Sequence, residues 1–154
     1  MLSAIPVFYS QKMVADVNSF SPSTGKPEFV VESWRGLGIP LAVQDVEPAS
    51  NELLCLAHNP DYVKRIFAGQ EINGFKNKRV DLAETCRYTV AGMRDAGMEA
   101  LRNGRVAVAP VAGFHHARYA KSAGFCTFNG VLIAARALKN AGRVNTIGIV
   151  HCDF

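Results

Sequence analysis

Two short apolar runs constrain this chain more than any other feature: Val106–Pro110 (VAVAP) and the Ile147–Val150 stretch within Asn145–Asp153 (NTIGIVHCD). Neither alternates apolar with polar residues, so both read as strands buried on two faces. Between them, Gly130–Ala141 is apolar on most faces, with Arg136, Lys139 and Asn140 as exceptions. It reads as a largely buried helix closed by Gly142. Strand, crossover helix and central strand together predict a right-handed unit in an α/β fold, a parallel sheet flanked by helices.

Upstream the same alternation continues. Ile5–Ser10 reads as a short buried strand, Gln11–Pro27 as a polar surface loop, and the stretch around Gly36, Gly38 and Pro40 as a second loop. Asn51–His58 suits a short helix. Asn59 then caps another through Tyr62–Ala68, with Pro60 at the first helical position, where its missing N–H costs nothing. After a loop at Asn73–Lys78, apolar or small residues recur at spacings of three and four from Leu82 to Leu101. They predict a long amphipathic helix ended by Gly104. The 154 residues suit a single domain spanning 1–154, and no internal repeat is visible.

Composition excludes several classes of function. With 49% hydrophobic and 19% charged residues, the chain has enough apolar surface for a core and too little charge for a disordered tail. The net charge of +4 is scattered, and the pairs Lys64-Arg65 and Lys78-Arg79 have no interleaved aromatic residues, so no nucleic-acid partner is expected. No run of about 18 apolar residues exists, which argues against a membrane span. The apolar stretch Ala4–Tyr9 is too short for a signal peptide. Cys55, Cys86, Cys126 and Cys152 include no CxxC pair, and the flanks of Cys126 and Cys152 read as interior. Free thiols in a cytoplasmic protein are the expectation.

In open parallel sheets, ligands gather beyond the carboxyl ends of the strands. Two groups fall there: His115-His116, shortly after Pro110, and His151-x-Asp153, at the end of the last predicted strand. His151 and Asp153 are two apart and so share a side of the strand. Their convergence suits a general base or a metal site. Cys126, beside Phe125 and near Phe128, reads as a small core residue rather than a nucleophile. The glycines lack the spacing of a dinucleotide or phosphate loop.

Taken together, Gly113-Phe114-His115-His116-Ala117, then Gly124-Phe125-Cys126-Thr127-Phe128-Asn129-Gly130, then His151-Cys152-Asp153-Phe154 resemble the zinc-dependent histone deacetylase and acetylpolyamine amidohydrolase family. His58-Asn59-Pro60-Asp61-Tyr62-Val63 and Asn73-Gly74-Phe75 look like weaker landmarks, particularly of bacterial members. The resemblance implies the amino-terminal half of the arginase/deacetylase fold. It makes His115 an electrostatic and proton-shuttling group and His116 the general base, which then protonates the leaving amine. Gly124 and Phe125 match the channel through which an acyl-lysine or acylpolyamine chain passes. Asp153 matches a zinc-ligand carboxylate, zinc being the implied cofactor.

Two departures follow. The family's next zinc ligands, a His two residues past the Asp and a second Asp, are missing from these residues, as is the tyrosine that stabilises the oxyanion. One aspartate cannot hold catalytic zinc, so the metal is not expected to be retained and the chain alone is expected to be inactive. His151 also stands where the family has an Asp orienting the first histidine, so the resemblance implies an imidazole in place of a carboxylate at that position. Three functions compete on these grounds: a truncated deacylase needing a separate carboxyl-terminal half, a repurposed module that self-associates as a dimer through its open sheet edge, and a metalloenzyme of altered chemistry using His115, His116, His151 and Asp153.

Overall fold

Parallel pairing organises the amino-terminal half. In the computed structural model, which describes residues 4–15 and 22–152, β1 (Ile5–Phe8) lies beside β2 (Leu41–Gln44) in the register Ile5↔Leu41 to Phe8↔Gln44. On its other edge β1 meets Val108 through a single parallel bridge, with Val108 N–H on the Pro6 carbonyl and Phe8 N–H on the Val108 carbonyl, both at 2.9 Å. The predicted strand 106–110 is therefore reduced to this bridge. Val106 is 66% exposed, and no further strand among the described residues covers its far side.

The expected central strand at 145–153 is not formed among the described residues. Residues 145–152 carry no strand and make no backbone hydrogen bond to the sheet. The physical reason is exposure: Ile149 and Val150 are 54% and 90% exposed, and an apolar strand is stable only when covered on both faces and paired at its edges. Cys152 is accordingly exposed rather than interior.

Helices do most of the packing. α4 (Val80–Asn103) is the spine, touching β1, α3 (Pro60–Phe67), α5 (Gly130–Asn140) and the short turn Gln11–Met13. Its carboxyl end is turned by Gly104 in the left-handed conformation, φ 64°. No helix is long and apolar enough to cross a membrane among the described residues. Tyr62, Val63 and Ile66 of α3 meet Val90 and Ala91 of α4, Ile133 of α5, Phe114 and Phe128 in one buried cluster.

Two elements were not legible as such. α1 (Lys26–Gly36) begins at the end of the stretch read as loop, and β2 follows Pro40. α1 buries only Pro27 and Val31, one turn apart, too thin a stripe to show as periodicity. β2 is a four-residue edge strand whose Ala42, Val43 and Gln44 are exposed. Part of the predicted loop Gln11–Pro27, residues 16–21, lies outside the described residues.

Candidate functional site

The segment 111–129 leaves the Val108 bridge, carries the paired histidines and ends at α5. Its far end is pinned from below by His58. The Asn129 N–H donates to His58 Nε2 at 2.8 Å, so Nε2 is the unprotonated nitrogen. Nδ1, 3.3 Å from the Tyr119 carbonyl, then carries the proton. His58 is fully buried against the rings of Tyr62 and Phe128, and that burial holds its pKa below the usual histidine range. It is thus a neutral, single-tautomer strut. Asn59 caps α3 by accepting from Asp61 N–H at 2.8 Å, while its own N–H donates to the Tyr119 carbonyl at 2.9 Å. Asn129 repeats the arrangement at α5, accepting from Leu132 N–H and donating its side-chain amide to the Ala117 carbonyl.

A second strut comes from the Asn73–Lys78 loop. Gly74 N–H donates to Thr127 Oγ1 and Phe125 N–H to the Gly74 carbonyl, each at 3.0 Å. The approach is so close that a Cβ on Gly74 would fall 2.5 Å from the Cys126 nitrogen. Asn73 is buried and holds the loop by accepting from Phe75 N–H at 2.9 Å. Tyr62 adds a third tie, its hydroxyl donating to the Thr127 carbonyl at 2.8 Å, and burial raises its pKa so that it stays a donor. These ties hold Phe125 in the left-handed region at φ 61°, a conformation that costs a non-glycine residue on the order of 1 kcal/mol. Its ring then lies 5.8 Å from that of Phe75, the two rings tilted against each other as an aromatic pair.

Near this ring pair, His115 Nε2 and His116 Nε2 are 2.8 Å apart, with both side chains exposed. One nitrogen must carry a proton and the other a lone pair. Gly124, at φ 48°, gives His116 its place: a Cβ there would lie 2.5 Å from the imidazole Cδ2. The His151 ring sits 4.5 Å from that of His115. The structure therefore gathers His115, His116, His151 and Gly124, with Phe125 adjoining, even though His151 is not on a strand. Asp153 lies outside the described residues.

Cys126 is buried, its thiol donating to the Gly124 carbonyl at 3.2 Å, and the described residues form no disulfide. Burial pushes the Cys86 thiol up to about 11. Neither residue resembles an activated nucleophile. No group of three or more His, Cys, Asp or Glu side chains is placed to hold a metal ion among the described residues. The paired nitrogens face each other instead, so these residues do not make a zinc site by themselves.

His58 and Phe75 matter more than the sequence alone suggested. Both lie in the HNPDYV and NGF landmarks, but their roles as strut and as partner of the Phe125 ring depend on contacts tens of residues away.

Comparison with known proteins gives a consistent picture. The family described as the histone deacetylase domain matches residues 24–154. The crystal structure of the HD domain of HDA15 superposes with a TM-score of 0.74 at 16% identity, which makes it a likeness of fold. The match covers 91% of this chain and 45% of that one, so the chain spans under half the length of that domain structure. No curated protein matches.

Proposed function

This chain belongs to the histone deacetylase domain family, and from that premise we propose that it supplies the proton-transfer half of an amide-hydrolysing site. The observation that carries this reading is the 2.8 Å contact between His115 and His116, seated against Gly124 beside the Phe75–Phe125 ring pair. In this reading the Phe75–Phe125 ring pair offers an apolar wall to an acyl chain. The His115–His116 pair takes a proton from the attacking water, with His116 as the base, and returns it to the leaving amine. The family is generally zinc-dependent, and zinc would supply carbonyl polarisation. Asp153 is the residue of this chain proposed to contribute to its site, with the remaining ligands provided from elsewhere. Alone, the chain is proposed to be inactive.

A second reading is supported by one observation. An apolar cleft of about 490 Å³ runs between α4, α5 and the 147–151 segment, beside the exposed Ile149 and Val150. A second copy covering this face would give a homodimer of structural rather than catalytic purpose.

Hydrolysis of an acetyl-lysine reporter separates the two. Mixing the chain with a carboxyl-terminal segment that supplies the remaining strands and ligands should generate zinc-dependent turnover. His116→Ala should lower that turnover by roughly 100-fold or more. Turnover unaffected by that substitution would sink the catalytic reading. A stable dimer that excludes the added segment would favour the structural one.

A further inference from the structure

The mouth of the candidate site is built by two loops that are tied to one another, 69–79 and 114–127. Besides the Gly74 bonds, Ser122 donates its hydroxyl to the Ile72 carbonyl at 2.7 Å. The loops carry an uneven charge. Lys76 and Lys78 lie one and three residues after Phe75, and Arg118 and Lys121 follow His116, paired with each other through a backbone bridge. All four side chains are exposed, and none forms an ion pair among the described residues. The one carboxylate in the two loops, Glu71, is already engaged by Arg65 at 3.2 Å. The overall charge of +4 does not explain this, because it is spread along the chain, whereas these four cations lie on the two loops that carry Phe75, His116 and Phe125.

We propose that the mouth this chain builds selects an acyl-lysine carried on an acidic peptide. The inference rests on reading His115 and His116 as part of a deacylase site. Acylation removes the lysine charge, so the Phe75–Phe125 ring pair offers apolar surface to a neutral alkyl chain with no counter-charge. The residues flanking that lysine then meet Lys76, Lys78, Arg118 and Lys121. Glutamates or aspartates there face opposite charge, whereas a polybasic tail or a polyamine meets like charge at close range. A nucleic acid fits less well. Tyr119, 59% exposed, is the solvent-facing aromatic between the cations, whereas strand binding relies on successive stacking platforms.

The test is fluorescence anisotropy at low salt with the 154-residue chain and two labelled peptides. Each contains one acetyl-lysine, flanked by three glutamates per side in one and three lysines per side in the other. Roughly tenfold tighter binding of the acidic peptide is expected, and 0.5 M salt should largely erase it. Lys76→Glu combined with Lys121→Glu should reverse the preference. Lys64→Glu combined with Lys139→Glu makes the same change in net charge away from the mouth and should leave the preference intact. Equal binding, a preference for the basic peptide, or failure to bind either would overturn the proposal, as would a single-stranded oligonucleotide that competes equally well. The same acidic peptide with unmodified lysine separates the two layers. If it binds as well as the acetylated form, the deacylase reading fails while the anionic preference stands.

Discussion

Two parts of this molecule are similarly apolar and have opposite fates. The Phe125–Asn129 stretch is held on every side: by Gly74, by the Tyr62 hydroxyl and by His58. The 145–152 segment, with its Ile-Gly-Ile-Val run, has none of these ties and lies exposed over an open cleft. The difference teaches that apolar content alone does not order a segment. Backbone groups need partners, and in the first region buried side chains from distant elements provide them. The candidate site sits on the ordered side of this divide, except for His151, which reaches it from the other.

The largest effect should come from removing the ring at the centre of the ordered region. Phe128 is 1% exposed and packs against His58, Tyr62 and Phe67. Phe128→Ala should cost about 3–5 kcal/mol in urea unfolding, enough to unfold a marginal chain. A cost below about 1 kcal/mol would mean that this core is not the organising one.

Acid should sharpen the comparison next. The unfolded chain protonates His58 near 6.5, but the folded site resists, since burial lowers its pKa and Nε2 must accept the Asn129 N–H. The folded state thus binds fewer protons, and this contribution to stability is complete above about pH 6.5 and declines as pH falls below it. Melting temperatures taken from pH 8 to 5 should drop in the wild type and drop less in His58→Gln. Parallel curves for the two proteins would assign the acid sensitivity to other groups.

Smaller again is the cap at α3. Asn59→Ala removes the acceptor for Asp61 N–H and should cost about 1 kcal/mol. Smallest of all, Val150→Ala on the open side should change stability by no more than about 0.5 kcal/mol, its side chain being 90% exposed. A larger loss there would reveal packing of the 145–152 segment in solution.

Most helices were legible because their signals are local. Asn59-Pro60 marks a start, Gly104 a stop, and the spacing from Leu82 to Leu101 a buried face. The site was legible as residue types in order, through GFHHA and GFCTFNG. Its geometry was not, because the bonds that place Phe125 and Asn129 come from Gly74 and His58, far away in sequence. The last strand was misread for a related reason. NTIGIV has the composition of a buried strand, but pairing depends on neighbours that its own residues do not specify. α1 escaped because Pro27 and Val31 are its only buried side chains.

Hydrogen exchange resolved by residue tests most directly the central claim, that this chain builds its paired-histidine site before the sheet edge is covered. In the isolated chain the Gly74, Phe125, Asn129 and Leu132 amides should exchange slowly, as members of the cooperative core, while amides across 145–152 exchange at nearly unfolded rates. Fast exchange at Phe125 and Asn129 together with 145–152 would contradict it, and would mean that the site forms only when a partner completes the sheet.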